Sequence, residues 1–176
     1  EHQVMLTAQH THSAPGGFSH YAFYNMTVPG FQPEVFEAIV TACVTSISTA
    51  LKNMQPGKLH FGHLSFAPED EVAFNRSLAA YNSNPENLPL SETETHLAID
   101  RNMYLLKAEN TQGDTLAVLN WFGVHATSLS SKNRGISSDN KGYAARLLEE
   151  YFLQTGQDTV CIFAQAAAGD VSPCFY

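Results

Sequence analysis

"TLAVLNWFGVH" (115–125), "SSDNKGYAARLLEEYFLQTG" (137–156) and "DTVCIFAQ" (158–165) follow one another in the second half of the chain. The first is a short apolar run rich in strand-forming residues, preceded by the turn residues "TQGD" at 111–114. The second spaces Tyr143, Leu147, Leu148, Tyr151 and Phe152 on one helical face. Ser137 or Ser138 is placed to cap it, Asp139 lies in its first turn and suits the positive end of the helix dipole, and Gly156 stops it. The third is again a short apolar run and predicts a buried strand. Strand, helix and strand in this order point to a layered α/β protein.

Working outward, "NMYLLKAEN" (102–110) and the strand from 115 flank "TQGD", which predicts a hairpin. "KLHFGHLSF" (58–66) alternates and predicts another strand. Residues 33–54 carry the clearest helical period, with Pro33 in the first turn and "QPGK" as the stop. Residues 3–9 predict a strand that delivers His10, residues 13–32 an aromatic-rich loop, and residues 67–98 mostly loop broken by Pro68, Pro85 and Pro89. The fold class expected is α/β, a mixed sheet with flanking helices, as a single domain over 1–176 with its active site at strand C-terminal ends.

The net charge of −8 excludes a basic nucleic-acid-binding stripe, so no nucleic acid is expected as a partner. No stretch is expected to reach membrane-spanning length. Cys43, Cys161 and Cys174 form no CxxC pair, which removes a cysteine zinc site; Cys43 and Cys161 are expected as small core hydrophobes. His60 and His63 fall on opposite faces of one strand and make poor partners for a single metal.

The histidines that matter sit elsewhere. "AQHTHSAPGG" (8–17) puts His10 and His12 one residue apart before a sharp turn. His125 ends the 115–125 strand, and "GDVSP" (169–173) follows the last one. All three features are expected just beyond strand C-terminal ends, where ligands collect in open α/β sheets. Neutral imidazole suits zinc, and a catalytic zinc takes about three protein ligands with one position open. His-x-His leaves two readings, a metal ligand beside a proton-transfer group or two polar residues at a loop mouth.

"THSAPGG" (11–17), "NRS" (75–77), "WFGVHATSL" (121–129), "SSDNKGYAARLLE" (137–149) and "GDVSP" (169–173) resemble, in order and spacing, the neutral ceramidases, also called neutral/alkaline non-lysosomal ceramidases. The resemblance runs from the first predicted strand to the last residues. It implies a zinc-dependent amidase that cleaves the N-acyl bond of ceramide to sphingosine and a fatty acid. Carried across, His10 and His125 match zinc ligands, and His12 matches the active-site histidine beside the metal. Arg76 matches an arginine facing the scissile carbonyl, and Ser172 matches the serine described as nucleophile. The chain departs from the family's pattern at Ala14, Ala167 and Cys174, which bears on substrate identity. The family's remaining ligands, a Glu and a Tyr, have no counterpart here.

The resemblance also implies ceramide or a related N-acyl lipid as partner, peripheral membrane contact, and a secreted or membrane-associated location. With part of the ligand set absent, the isolated chain is expected to be incomplete: metal-poor, inactive, with uncovered apolar surface, and missing the remainder of its catalytic domain. Two other readings stand beside this one. One is a related metal amidase or esterase acting on a different acyl lipid; the other is a non-catalytic lipid-binding fragment. The sequons Asn25-Met26-Thr27 and Asn75-Arg76-Ser77 lend secretion slight support.

Overall fold

The computed structural model describes residues 4–173. Gln3, the start of the first predicted strand, and Cys174 lie outside the described residues. The described residues divide into two compact units, one of residues 4–6 with Ala14–Pro56, the other of Thr7–Ser13 with residues 57–173.

In the first unit, a 3-10 turn at Ala22–Asn25 precedes α1, Pro33–Lys52. Pro33 opens the helix where its missing N–H costs nothing, Glu34 suits the positive end of the dipole and Lys52 the negative end. The period is as predicted; the burial is not. No residue of α1 is buried, and Cys43 is exposed rather than a core hydrophobe. A helical period reports which side chains share a face, not what covers that face. The 20 residues of α1 also meet the length and apolarity of a membrane span, by length and composition only, which corrects the expectation that no stretch approaches one. Helices of water-soluble proteins pass the same test. Asn25 is buried with its Nδ2 donating 2.5 Å to the Ser19 carbonyl, so the first sequon offers no free amide.

The second unit holds the site. Its main sheet runs β1 (Gly57–Ser65), β3 (Asn102–Asn110), β4 (Thr115–Phe122), β5 (Val160–Gln165) in spatial order. β1–β3 and β3–β4 are antiparallel, the latter the predicted hairpin, with Leu106 opposite Leu119. β4 and β5 are parallel, with Val118 beside Cys161 and Phe122 beside Gln165. Parallel neighbours need a crossover, and α3 (Asp139–Gln154) supplies it. The sheet is therefore mixed, as expected.

α3 is fixed to the sheet partly through polar groups. Buried Lys141 donates from Nζ to the Phe122 carbonyl at 2.6 Å, and Glu149 accepts the Cys161 N–H at 3.0 Å. Leu148 and Phe152 are half-buried, whereas Tyr143, Leu147 and Tyr151 are exposed, so the predicted apolar face is only partly the covered one. Gly156, at φ 80°, ends the helix in the left-handed conformation that glycine takes without a Cβ clash. Cys161 is buried as expected, and burial pushes its thiol up to about 11.

Two further expectations change. Residues 4–9 form no strand; Ala8 lies beside the end of β5, where Gln165 donates from its backbone N–H to the Ala8 carbonyl at 2.8 Å. The apolar alternation here lacks a ladder partner. Residues 67–98 are more ordered than a broken loop. They hold β2 (Phe74–Asn75), α2 (Leu78–Asn82) and a 3-10 helix at Glu92–Leu97 that opens with a Ser91/Glu94 capping box. β2 pairs antiparallel with β6 (Val171–Ser172), Phe74 opposite Ser172 and Asn75 opposite Val171. That short pairing brings the "NRS" motif to the "GDVSP" motif.

Candidate metal centre

β4 and β5 end side by side, and the chain beyond each end builds the site. Three residues past β4, His125 is 5% exposed. Its backbone N–H donates to the Val171 carbonyl at 3.0 Å. Its Nδ1 lies 2.6 Å from the Ala168 carbonyl oxygen and 3.2 Å from that of Val171. Carbonyls only accept, so Nδ1 carries a proton, and in the neutral ring the lone pair is on Nε2. This is how metal-binding histidines are held, with the second ring nitrogen fixed by a backbone carbonyl.

His10 points its Nε2 at that lone pair, 3.1 Å away. His12 places its own Nε2 3.2 Å from that of His10. The ligand-capable nitrogens of the three histidines all lie within 4.8 Å of one another. Two nitrogens bound tetrahedrally to zinc at about 2.1 Å sit about 3.4 Å apart, so the His10–His125 separation suits one shared ion. Burial lowers the His10 pKa first, then the charges of His125, His12 and Arg76 lower it further. Each cause favours neutral imidazole, the form that can ligate.

His10 reaches this position at a backbone cost. Its φ is 62°, in the left-handed region that a non-glycine residue rarely occupies; among the described residues only Asp139, at 55°, shares that property. Such strain persists where surrounding bonds over-determine it. Here the Gln165 side chain spans both segments, donating to the Gln9 carbonyl at 3.0 Å and the Val124 carbonyl at 2.5 Å, and accepting the Val124 N–H at 3.2 Å. Beyond His10, Thr11 donates from Oγ1 to the Ser137 carbonyl at 2.6 Å, and the Ser137 N–H donates to the Ser13 carbonyl at 2.8 Å.

Arg76 follows β2. Its backbone N–H donates to the Asp170 carbonyl and its guanidinium to the Gly169 carbonyl, both at 2.8 Å. Its charge reaches His10. Ser172 is buried on β6, next to Val171, whose carbonyl holds His125. Asp170 lies outside the histidine group; its carboxylate accepts from Asn75 Nδ2 at 2.8 Å, a turn-bracing role. Asn75 is itself 2% exposed, and its Nδ2 also donates to the Ala98 carbonyl, so the second sequon is as occupied as the first. His60 stands 3.6 Å from Glu109 on the sheet, and neither it nor His63 belongs to the cluster.

Sequence reading missed the second rank of residues. Gln165 and Asn140 make bonds that hold the histidine-bearing segments, Asn75 ties the Ala98 carbonyl to Asp170, and nothing in their local spacing signals it. Asp139 was expected only at its helix dipole. Its carboxylate instead also accepts the backbone N–H groups of Ser128 and Leu129, both at 2.9 Å, along with that of Asn140 at 2.6 Å.

The family model for the N-terminal part of neutral/alkaline non-lysosomal ceramidase matches residues 1–176. The chain belongs to the neutral ceramidase family. It is 41% identical over 173 residues to the neutral ceramidase of Pseudomonas aeruginosa, covering 98% of this chain and 24% of that protein. Neutral ceramidase A of Dictyostelium discoideum is 36% identical, with 97% of this chain and 24% of the relative covered. The crystal structure of the Pseudomonas aeruginosa enzyme superposes with a TM-score of 0.85 at 40% identity, over 97% of this chain and 26% of that one. A ceramidase complexed with C2 gives a TM-score of 0.83 at 41% identity, over 95% of this chain and 25% of that one. The chain thus spans about a quarter of the length of these neutral ceramidases.

Proposed function

We propose that the full-length protein is a zinc-dependent amidase that hydrolyses the N-acyl bond of ceramide, releasing sphingosine and a fatty acid, and that this chain contributes two metal ligands and the groups around them. The carrying observation is the His10–His125 pair, at 3.1 Å, with the tautomer of His125 set by the Ala168 carbonyl. Bound zinc supplies Lewis acidity that polarises the amide carbonyl and acidifies water. In this reading His10 and His125 hold the ion. His12, beside His10, takes a proton from the attacking oxygen and returns it to the leaving amine, a role that typically contributes about 10² to 10⁴ in rate. Arg76, its guanidinium directed by the Gly169 carbonyl, stabilises the negative charge developing on the carbonyl oxygen. Ser172 either attacks the carbonyl carbon or orients the amide, and a trapped acyl-enzyme separates the two. The same reading places the protein in a secreted or membrane-associated setting, where acyl-lipid substrates are met.

The test is to purify the full-length protein, measure bound zinc by mass spectrometry and assay a fluorescent ceramide beside other N-acyl lipids and esters. One zinc per chain and preferred turnover of ceramide is the expected result. Zinc with turnover of another acyl substrate only would move the assignment to a related amidase or esterase. No zinc and no turnover would leave a lipid-binding protein.

A further inference from the structure

We propose that Asn140, braced by Asp139, is a positioning residue that sets the backbone of His125. The inference rests on the metal-binding reading above and extends it to the start of α3, which lies outside the histidine cluster.

Beyond β4 the chain from Gly123 to Ser138 has no helix or strand of its own, yet it carries a side chain that must be placed to a fraction of an ångström. One side of His125 is fixed by carbonyls of the 168–171 loop. The other side is fixed from α3. Asn140 donates from Nδ2 to the His125 carbonyl at 2.9 Å and to the Ser128 hydroxyl at 3.1 Å. Asp139 accepts the N–H groups of Ser128 and Leu129, both at 2.9 Å. Two consecutive helix residues therefore grip the loop at His125 and again three to four residues on.

The backbone of Asp139 shows what this grip costs. Its φ of 55° is disfavoured for a residue with a Cβ. A helix start needs no such conformation, and Ser138, the residue at the cap position, makes no capping bond. Its carboxylate accepts two loop N–H groups as well as that of Asn140, with 6% of the residue exposed. Positive φ thus falls on His10 itself and on Asp139, which grips the loop after His125. In the family-like stretch "SSDNKGYAARLLE", the Asp-Asn pair is then explained by its hold on the loop, a role separate from helix formation.

Asn140→Asp in the full-length protein is the sharpest probe. It keeps the shape but replaces the donor with a carboxylate facing the His125 carbonyl. Asn140→Ala removes the bond without that repulsion and guards against a misfolded Asp variant. Lys141→Met is the control, since it disturbs the same helical turn but touches Phe122, not the His125 peptide. Zinc affinity is read by competition with a chromophoric chelator, and the metal-free proteins are compared by thermal melting.

Both Asn140 variants should bind zinc about tenfold or more weakly, the usual range for groups that support metal ligands. Their metal-free forms should still unfold cooperatively, with melting temperatures lowered by no more than the loss of one buried hydrogen bond allows, and Lys141→Met should bind zinc as wild type does. A fall in kcat with KM held is expected alongside. Zinc affinity within twofold of wild type in both Asn140 variants overturns the proposal while leaving the metal centre standing. So does equal weakening in Lys141→Met, which would mark a general loosening of the helix start. A wild-type protein that binds no zinc overturns the metal reading itself.

Discussion

Replacing Lys141 by Met should change stability little at neutral pH and strongly alter how stability depends on pH. Lys141 is 3% exposed. Its Nζ donates to the Phe122 carbonyl at 2.6 Å and lies 5.7 Å from the centre of the Phe122 ring. Burial pulls its pKa from 10.5 down to about 8. At about 1.4 kcal/mol per pH unit, the charged form costs the fold about 3 kcal/mol. The folded pKa is the lower one, so the unfolded chain binds more protons between pH 8 and 10.5, and this group's contribution to stability rises with pH across that window. Below about pH 8 the penalty is complete. The Met variant removes the penalty but strands the Phe122 carbonyl, a loss of about 1 to 3 kcal/mol. At pH 7 the two effects nearly cancel. The pH dependence has no such offset. The difference between variant and wild type should move by about 3 kcal/mol in favour of wild type as pH rises from about 7 to 10.5. Cys161 acts in the opposite sense, because its raised pKa of about 11 means stability is lost as pH rises from 9.0 towards that value. It is present in both proteins and drops out of the difference. Denaturant unfolding of the full-length pair at several pH values, compared at equal slopes, supplies the numbers. Stability differences that stay constant from pH 7 to 10.5 would refute the buried, desolvated amine.

Three further outcomes are expected. Arg76→Ala should lower kcat by about 10² to 10³ with far less change in KM, because the charge it faces is largest in the transition state; steady-state kinetics on a fluorescent ceramide gives both constants. Protein secreted from a eukaryotic host should carry no glycan at Asn25 or Asn75, since both amides are buried and hydrogen-bonded; peptide mass spectrometry of either site would reveal one. Cys161 should resist alkylation in the native protein at pH 8, being buried with a thiol pKa of about 11, and react once denaturant is added.

Local pattern alone determined most of the elements. α1, β1, the β3–β4 hairpin, α3 and β5 follow from period, turn chemistry and stops, because each is decided by residues within a few positions of one another. His10, His125 and Ser172 were legible as candidates because they follow apolar runs in motifs that resemble a known family, and Arg76 through that resemblance alone. Sequence pattern failed where the deciding partner is remote. Residues 4–9 alternate like a strand yet find no ladder. The stripe of α1 is real, but its covering surface is not among its own residues. Cys43 and Cys161 look alike in sequence, and only packing separates an exposed thiol from a buried one.

The centre itself belongs wholly to tertiary structure. His10 and His125 are 115 residues apart, and no local preference brings their nitrogens to 3.1 Å. What does so is the parallel pairing of β4 with β5, the two-residue pairing of β2 with β6, and bonds from Gln165 and Asn140. Those bonds come from side chains whose spacing carries no signal, because a hydrogen bond to a remote carbonyl depends on position in space and not on neighbours in sequence. Even the tautomer of His125 was beyond the reach of sequence. It is set by the carbonyl of Ala168, a group every residue possesses, placed 2.6 Å from one ring nitrogen only by the fold.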